Sequence, residues 1–165
     1  MKPCVANVPA HSVIQSRLKD ASFFDAYAIQ NPQPGRNILA VWLDTVQKTP
    51  WWVNHLMKLR NVIVAPLGLK HDGELSSFDA LKKAHEYRVG DRVGIFTIYE
   101  MSDDEVLMGE TDKHLDVCLS LCKVDQGARL VLSTVVHEKN ILGNLYMFFI
   151  KPMHRVIAPA VMSKI

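Results

Sequence analysis

Hydrophobic positions change their period several times along the chain, and each change predicts an element. Ser12 can cap a short helix running to Leu18, with Ile14 and Leu18 on one face. The aromatic-rich run Ser22–Ile29 suits a strand, and Asn31–Gly35 (NPQPG) can continue neither element, so it reads as a turn. In Arg36–Lys48, Ile38, Leu39, Trp42, Leu43 and Val46 recur at helical spacing. A second helix follows Thr49 as N-cap and Pro50 at the first helical position, where a missing N–H costs nothing. Its apolar face is predicted to be Trp52, Leu56, Leu59 and Ile63, with Asn54, Lys58 and Asn61 opposite, and Pro66 with Gly68 ends it.

In the next stretch, Leu75, Phe78 and Leu81 fit one face of a short helix or a loop. From Tyr87 the period becomes two. Arg92–Glu100 and Glu105–Glu110 flank a short turn, and His114–Val124 and Ala128–His137 flank Asp125-Gln126-Gly127, so four antiparallel strands form a meander. Helical spacing returns from Asn140, an acceptable N-cap, toward Ile165. Leu142, Leu145, Phe149, Met153, Val156 and Ala160 mark its stripe, and Pro152 should kink or interrupt it.

At 165 residues the chain is one domain, 1–165, with residues 1–21 an N-terminal extension, and long enough to fold around a core without a staple. A net charge of +2 lacks the clustered excess of a nucleic-acid binder. The N-terminus has no secretory apolar run, and the uncharged stretch Asn140–Ile150 is too short to span a bilayer, so a cytoplasmic location without stable membrane insertion is expected. An exposed edge strand, Glu105–Glu110 or Ser22–Ile29, leaves a homo-oligomer open.

The three cysteines read as free thiols. Cys118 and Cys122 lie four apart on one strand, about 13 Å, beyond the reach of a bridge. No HExxH, zinc-ribbon, GxSxG or glycine-rich phosphate loop is present, so no metal and no cofactor is expected.

The order strand, two helices, antiparallel meander and long C-terminal helix resembles the START-like (SRPBCC) helix-grip superfamily. Three stretches resemble an uncharacterised bacterial family within it, a domain of unknown function: Trp51–Lys70, Glu105–Leu121 and Val135–Ile157. The resemblance implies an α+β fold in which a curved antiparallel sheet wraps around the long C-terminal helix, with two short helices closing one end. It also implies an apolar cavity between sheet and helix, and lends no catalytic residues. Similar domains occur fused to nicotinamide-dependent oxidoreductases; this chain has no GxGxxG, so such a partner would be a separate protein.

Candidate chemistry is sparse. His114 and Asp116 share one side of their predicted strand and are read either as a solvated register pair or as an acid–base pair turned toward a pocket. His154 sits beside the proline break and is a third catalytic candidate. Ligand-lining candidates are Trp52, Phe96, Tyr99, His137, Tyr146 and Phe149. Three function classes follow: a non-enzymatic binder or carrier of a hydrophobic small molecule, which is preferred; a cyclase, hydratase or isomerase using the His/Asp groups; and an interaction module for a separate oxidoreductase.

Overall fold

In the computed structural model, which describes residues 1–64 and 82–165, alternation from Arg92 onward becomes an antiparallel meander. Its strands are β3 (Arg92–Val93), β4 (Phe96–Met101), β5 (Glu105–Thr111), β6 (Leu115–Val124) and β7 (Arg129–Glu138). β2 (Phe23–Gln30) pairs with β7 and β1 (Cys4–Val5) with β2, giving the order β1-β2-β7-β6-β5-β4-β3 with every pair antiparallel. The predicted single strand Arg92–Glu100 is two strands. Gly94, at φ +60°, lets the chain fold back so that Val93 pairs with Phe96. The segment holding Leu75, Phe78 and Leu81, with the predicted stop at Pro66 and Gly68, lies outside the described residues.

Strand parity sorts residues onto two faces. Inward from β6 point Leu115, Val117, Leu119 and Leu121; from β7 point Leu130, Leu132, Thr134 and Val136. Their core partners come from α1 (Ile38–Gln47), α2 (Trp51–Val64) and α3 (Ile141–Met162). Asn37 caps α1, its side chain accepting from the N–H groups of Leu39 and Ala40. Among the described side chains of α2, Val53 is fully buried, with Trp52 and Met57 packed beside the core. Leu59, predicted to face inward, is 52% exposed.

The outer face is covered by the N-terminal segment. Ser12 caps a 3-10 turn, Val13–Arg17, that drives Ile14 into a cluster with Leu107, Cys118 and Val135. Glu105, buried on this face, accepts hydrogen bonds from the Ser12 hydroxyl, the Ser120 hydroxyl (2.6 Å) and the Val13 N–H (3.1 Å). Burial, with Glu105 nearby, pushes the Cys122 thiol up to about 12. Burial and Asp116 push Cys118 to about 11.

α3 corrects two expectations. Pro152 does not interrupt it, because the carbonyl that proline leaves unpaired belongs to Phe148, on the exposed side where water can take it. Its buried side is Gly143, Tyr146, Met147, Ala158, Val161 and Met162, whereas Leu142, Leu145, Phe149 and Val156 of the predicted stripe are exposed. The rotation is set at the helix start. A Cβ on Gly143 would lie 2.4 Å from the His114 carbonyl oxygen, so only glycine lets the helix come this close to the β5–β6 turn. Among the described residues no helix is long and apolar enough to cross a membrane.

Candidate functional site

Between α3 and the inner face of the sheet lies a partly enclosed cavity of about 190 Å3. Leu115, Val117, Leu119 and Val136 form its floor. Met147, Ile150, Met153 and Ile157 of α3 form its roof, and Trp42, Leu56 and Met57 close the α1–α2 side. Along α3 the cavity lies between two anchoring ends. Gly143 sits on the β5–β6 turn, and Ala158, Val161 and Met162 join the main core.

Few polar groups reach this space. His154 projects from α3, and its Nε2 lies 3.2 Å from Asp25 Oδ1 on β2. Both side chains are largely buried, and the second Asp25 oxygen, Oδ2, has no hydrogen-bond partner. An ionised Asp25 holds the proton on Nε2 and leaves Nδ1 as the free ring nitrogen. Phe23 meets the His154 ring edge-on at 5.8 Å between centroids, and the Lys151 ammonium lies 5.9 Å from the Phe23 centroid while paired to Glu138 at 2.9 Å. Tyr27, next inward-facing residue along β2, has its hydroxyl pushed up by burial and by the Asp25 charge, with Arg155 pulling the other way. Thr134, opposite Asp25 across the β2–β7 ladder, and Trp42 also line the space, as do Asp112 and Glu110, the latter paired to Arg92 at 3.7 Å.

The candidates from the sequence scatter. His154, Phe96 and Tyr146 line the cavity. His114 precedes β6 and is buried, its Nδ1 3.0 Å from the Asn140 cap oxygen. Asp116 faces outward and accepts from the Thr111 hydroxyl at 2.7 Å, so these two hold different partners. His137 also faces outward, 3.0 Å from the Lys19 carbonyl. Tyr99 packs with the outer cluster, Trp52 packs against the core without lining the cavity, and Phe149 is 56% exposed. Sequence reasoning missed Asp25. The signal was there: in Phe23-Phe24-Asp25-Ala26-Tyr27-Ala28-Ile29 an acid shares the inward parity with Phe23, Tyr27 and Ile29.

Among the described residues no group of three or more His, Cys, Asp or Glu side chains is placed to hold a metal ion. The arrangement can admit a small apolar molecule, offer it a few hydrogen bonds and exchange a proton with it at His154. A protein-family model described as "Protein of unknown function (DUF2867)" matches residues 17–161, from the end of the 3-10 turn to the last turn of α3. No curated protein and no solved structure matches the chain.

Proposed function

The chain belongs to the DUF2867 family of proteins of unknown function, and from that premise we propose that it binds or carries a hydrophobic small molecule between its sheet and C-terminal helix. The observation that supports this reading is the apolar cavity of about 190 Å3 beneath α3. Natural cores are packed with few voids larger than a water, so a space of this size lined by leucine, valine and methionine is a binding space. The seven-stranded antiparallel sheet and the C-terminal helix packed on it are consistent with a helix-grip arrangement, and that supports the reading.

Native mass spectrometry of the purified protein, followed by organic extraction, tests the reading. A discrete extra mass that leaves on denaturation is expected, as is uptake of an apolar dye by the emptied protein. Ala158→Leu, which projects new bulk from α3 into the cavity, should weaken that uptake at least tenfold. Protein that carries no extra mass and takes up no dye would overturn the proposal.

A second reading, acid–base catalysis on the bound molecule, is favoured by the Asp25–His154 pair at 3.2 Å. His154 Nδ1 would accept a proton from the substrate and return it, while Asp25 holds Nε2–H and steadies the imidazolium. His154→Gln should then abolish turnover of a cavity-sized substrate while leaving its binding within twofold. Turnover that survives this substitution would remove the reading.

A further inference from the structure

The outer side of α3 is as apolar as its buried side. Ile141, Leu145, Phe148, Phe149, Pro152 and Val156 fall on one helical face, roughly opposite Gly143, Met147, Ala158 and Val161. The stripe runs about 22 Å along the helix. Ile141 is 83% exposed, Phe148 73% and Val156 58%. A helix that is hydrophobic all round normally has both of its sides covered. Together these side chains leave on the order of 600 Å2 of apolar surface in water, the upper end for the largest such patch on a monomer, and patches of that size mark interaction sites.

Charge decides what covers it. From Lys139 to Ile165 the chain has no Asp or Glu. Four exposed cations border the stripe or its ends: Lys113 and Lys139 at the helix start, Arg155 two turns after Phe148, and Lys164 past the last turn. Among the described residues none of the four is ion-paired, although the Lys139 ammonium donates to the Asp112 carbonyl. Nearby acids are engaged elsewhere. The Asp112 carboxylate accepts from the N–H groups of His114 and Leu115, Glu138 pairs with Lys151, and Asp25 is held by His154.

An apolar strip flanked by cations fits an anionic lipid surface, where the strip sinks to the base of the headgroups and the cations meet the phosphates. A second copy fits less well. Face to face, two such helices bring cations together with no acid to answer them, and about 600 Å2 falls short of the roughly 800 Å2 per partner in a stable interface. We propose that α3 docks the protein on anionic lipid bilayers, lying in the headgroup plane with this stripe toward the acyl chains. Docking is peripheral and reversible. It goes beyond the cavity reading, since the cavity lies under the opposite side of the same helix.

The probe is a phosphatidylcholine vesicle with roughly a third of its lipid replaced by phosphatidylserine, and flotation reads the binding. The wild-type protein should bind it at least tenfold more tightly than phosphatidylcholine alone, and added salt should release it. Phe148→Ser with Phe149→Ser should weaken binding at least tenfold, and Arg155→Gln roughly fivefold. All three side chains are exposed and outside the cavity lining, so uptake of an apolar dye by these variants should match the wild type. Wild-type protein that ignores the anionic vesicles, or binds them equally well with the serines in place, overturns the proposal. Dye uptake lost with the serines would put those rings at the cavity and overturn it too. A dimer that sediments in a concentration-dependent way and is abolished by the serines, without vesicle binding, overturns it in favour of a second copy. Should the serine variant fail to fold, Arg155→Gln and the salt series decide. Wild-type protein that binds vesicles but takes up no dye supports docking while the cavity reading falls.

Discussion

Gly143→Ala sets two effects of opposite sign against each other. Helix propensity alone favours alanine over glycine within a helix by about 1 kcal/mol. Against that, the added Cβ would stand 2.4 Å from the His114 carbonyl oxygen and 3.3 Å from Leu115 Cδ2. The nearer atom is backbone, so no rotamer change relieves the contact, and the start of α3 must retreat by more than half an ångström. That retreat stretches the bond from the Lys139 N–H to the His114 carbonyl (2.8 Å), and the one from the Asn140 amide to the Lys113 carbonyl (3.0 Å). Overpacking costs typically about 1–3 kcal/mol, and a helix cap is worth roughly 0.5–2 kcal/mol. The clash outweighs the propensity, and a net loss of about 1–3 kcal/mol is expected. Urea unfolding followed by circular dichroism measures it, as a lower midpoint with an unchanged slope. A midpoint that rises would refute the reasoning, since it would mean that α3 does not rest on the β5–β6 turn as described.

Four other outcomes follow from the packing and the buried thiols. Met147→Ala should cost about 2–5 kcal/mol and Phe149→Ser less than about 0.5, because Met147 is buried and Phe149 faces solvent; comparable losses on thermal unfolding would show that α3 is turned otherwise. Glu105→Gln should destabilise by about 1–3 kcal/mol, since one amide oxygen cannot serve the Val13 N–H and both serine hydroxyls; a change below 0.5 kcal/mol in urea would remove the latch from the account. At pH 8 Ellman's reagent should react with Cys4 and spare Cys118 and Cys122 until the protein unfolds. Both buried thiols titrate higher folded than unfolded, so their contribution is fully present below about pH 8.5 and declines toward pH 11–12. The unfolding midpoint should accordingly fall above pH 9, and fall less in the Cys118→Ala, Cys122→Ala double variant; equal falls would refute the assignment.

The strands were legible because their signals are local. Alternation in β6 and β7 and the turn at Asp125-Gln126-Gly127, where all three residues have positive φ, announce a hairpin without tertiary help. The rotation of α3 was not legible, because apolar residues occupy most positions from Ile141 to Met162 and several stripes fit the helical period equally well. What selects among them is one contact between Gly143 and a carbonyl far away in sequence. The candidate site was half legible. His154 was singled out for the proline break expected beside it, and it lines the cavity although the helix continues there, whereas its partner Asp25 is meaningful only once β2 is laid beside β7 and the two inward parities coincide. The cover on the outer face was invisible for a different reason: a two-residue strand and a 3-10 turn carry too little pattern to predict what they press against.

The covering of both sheet faces has a consequence for how the chain tolerates change. Neighbours on β6 serve different layers: Leu119 borders the void, while the hydroxyl of Ser120 is bonded to the carboxylate that fastens the N-terminal segment. Leu115, Val117 and Leu119 on β6 and Leu132, Thr134 and Val136 on β7 line the cavity, while Cys118 and Val135 on the other face pack against Ile14 of the N-terminal segment. A substitution scan along either strand should therefore split by parity, one set loosening the packing against the helices and the other the packing against the N-terminal segment. Such a sheet lets the layer beneath the helices and the layer beneath the N-terminal segment be varied separately.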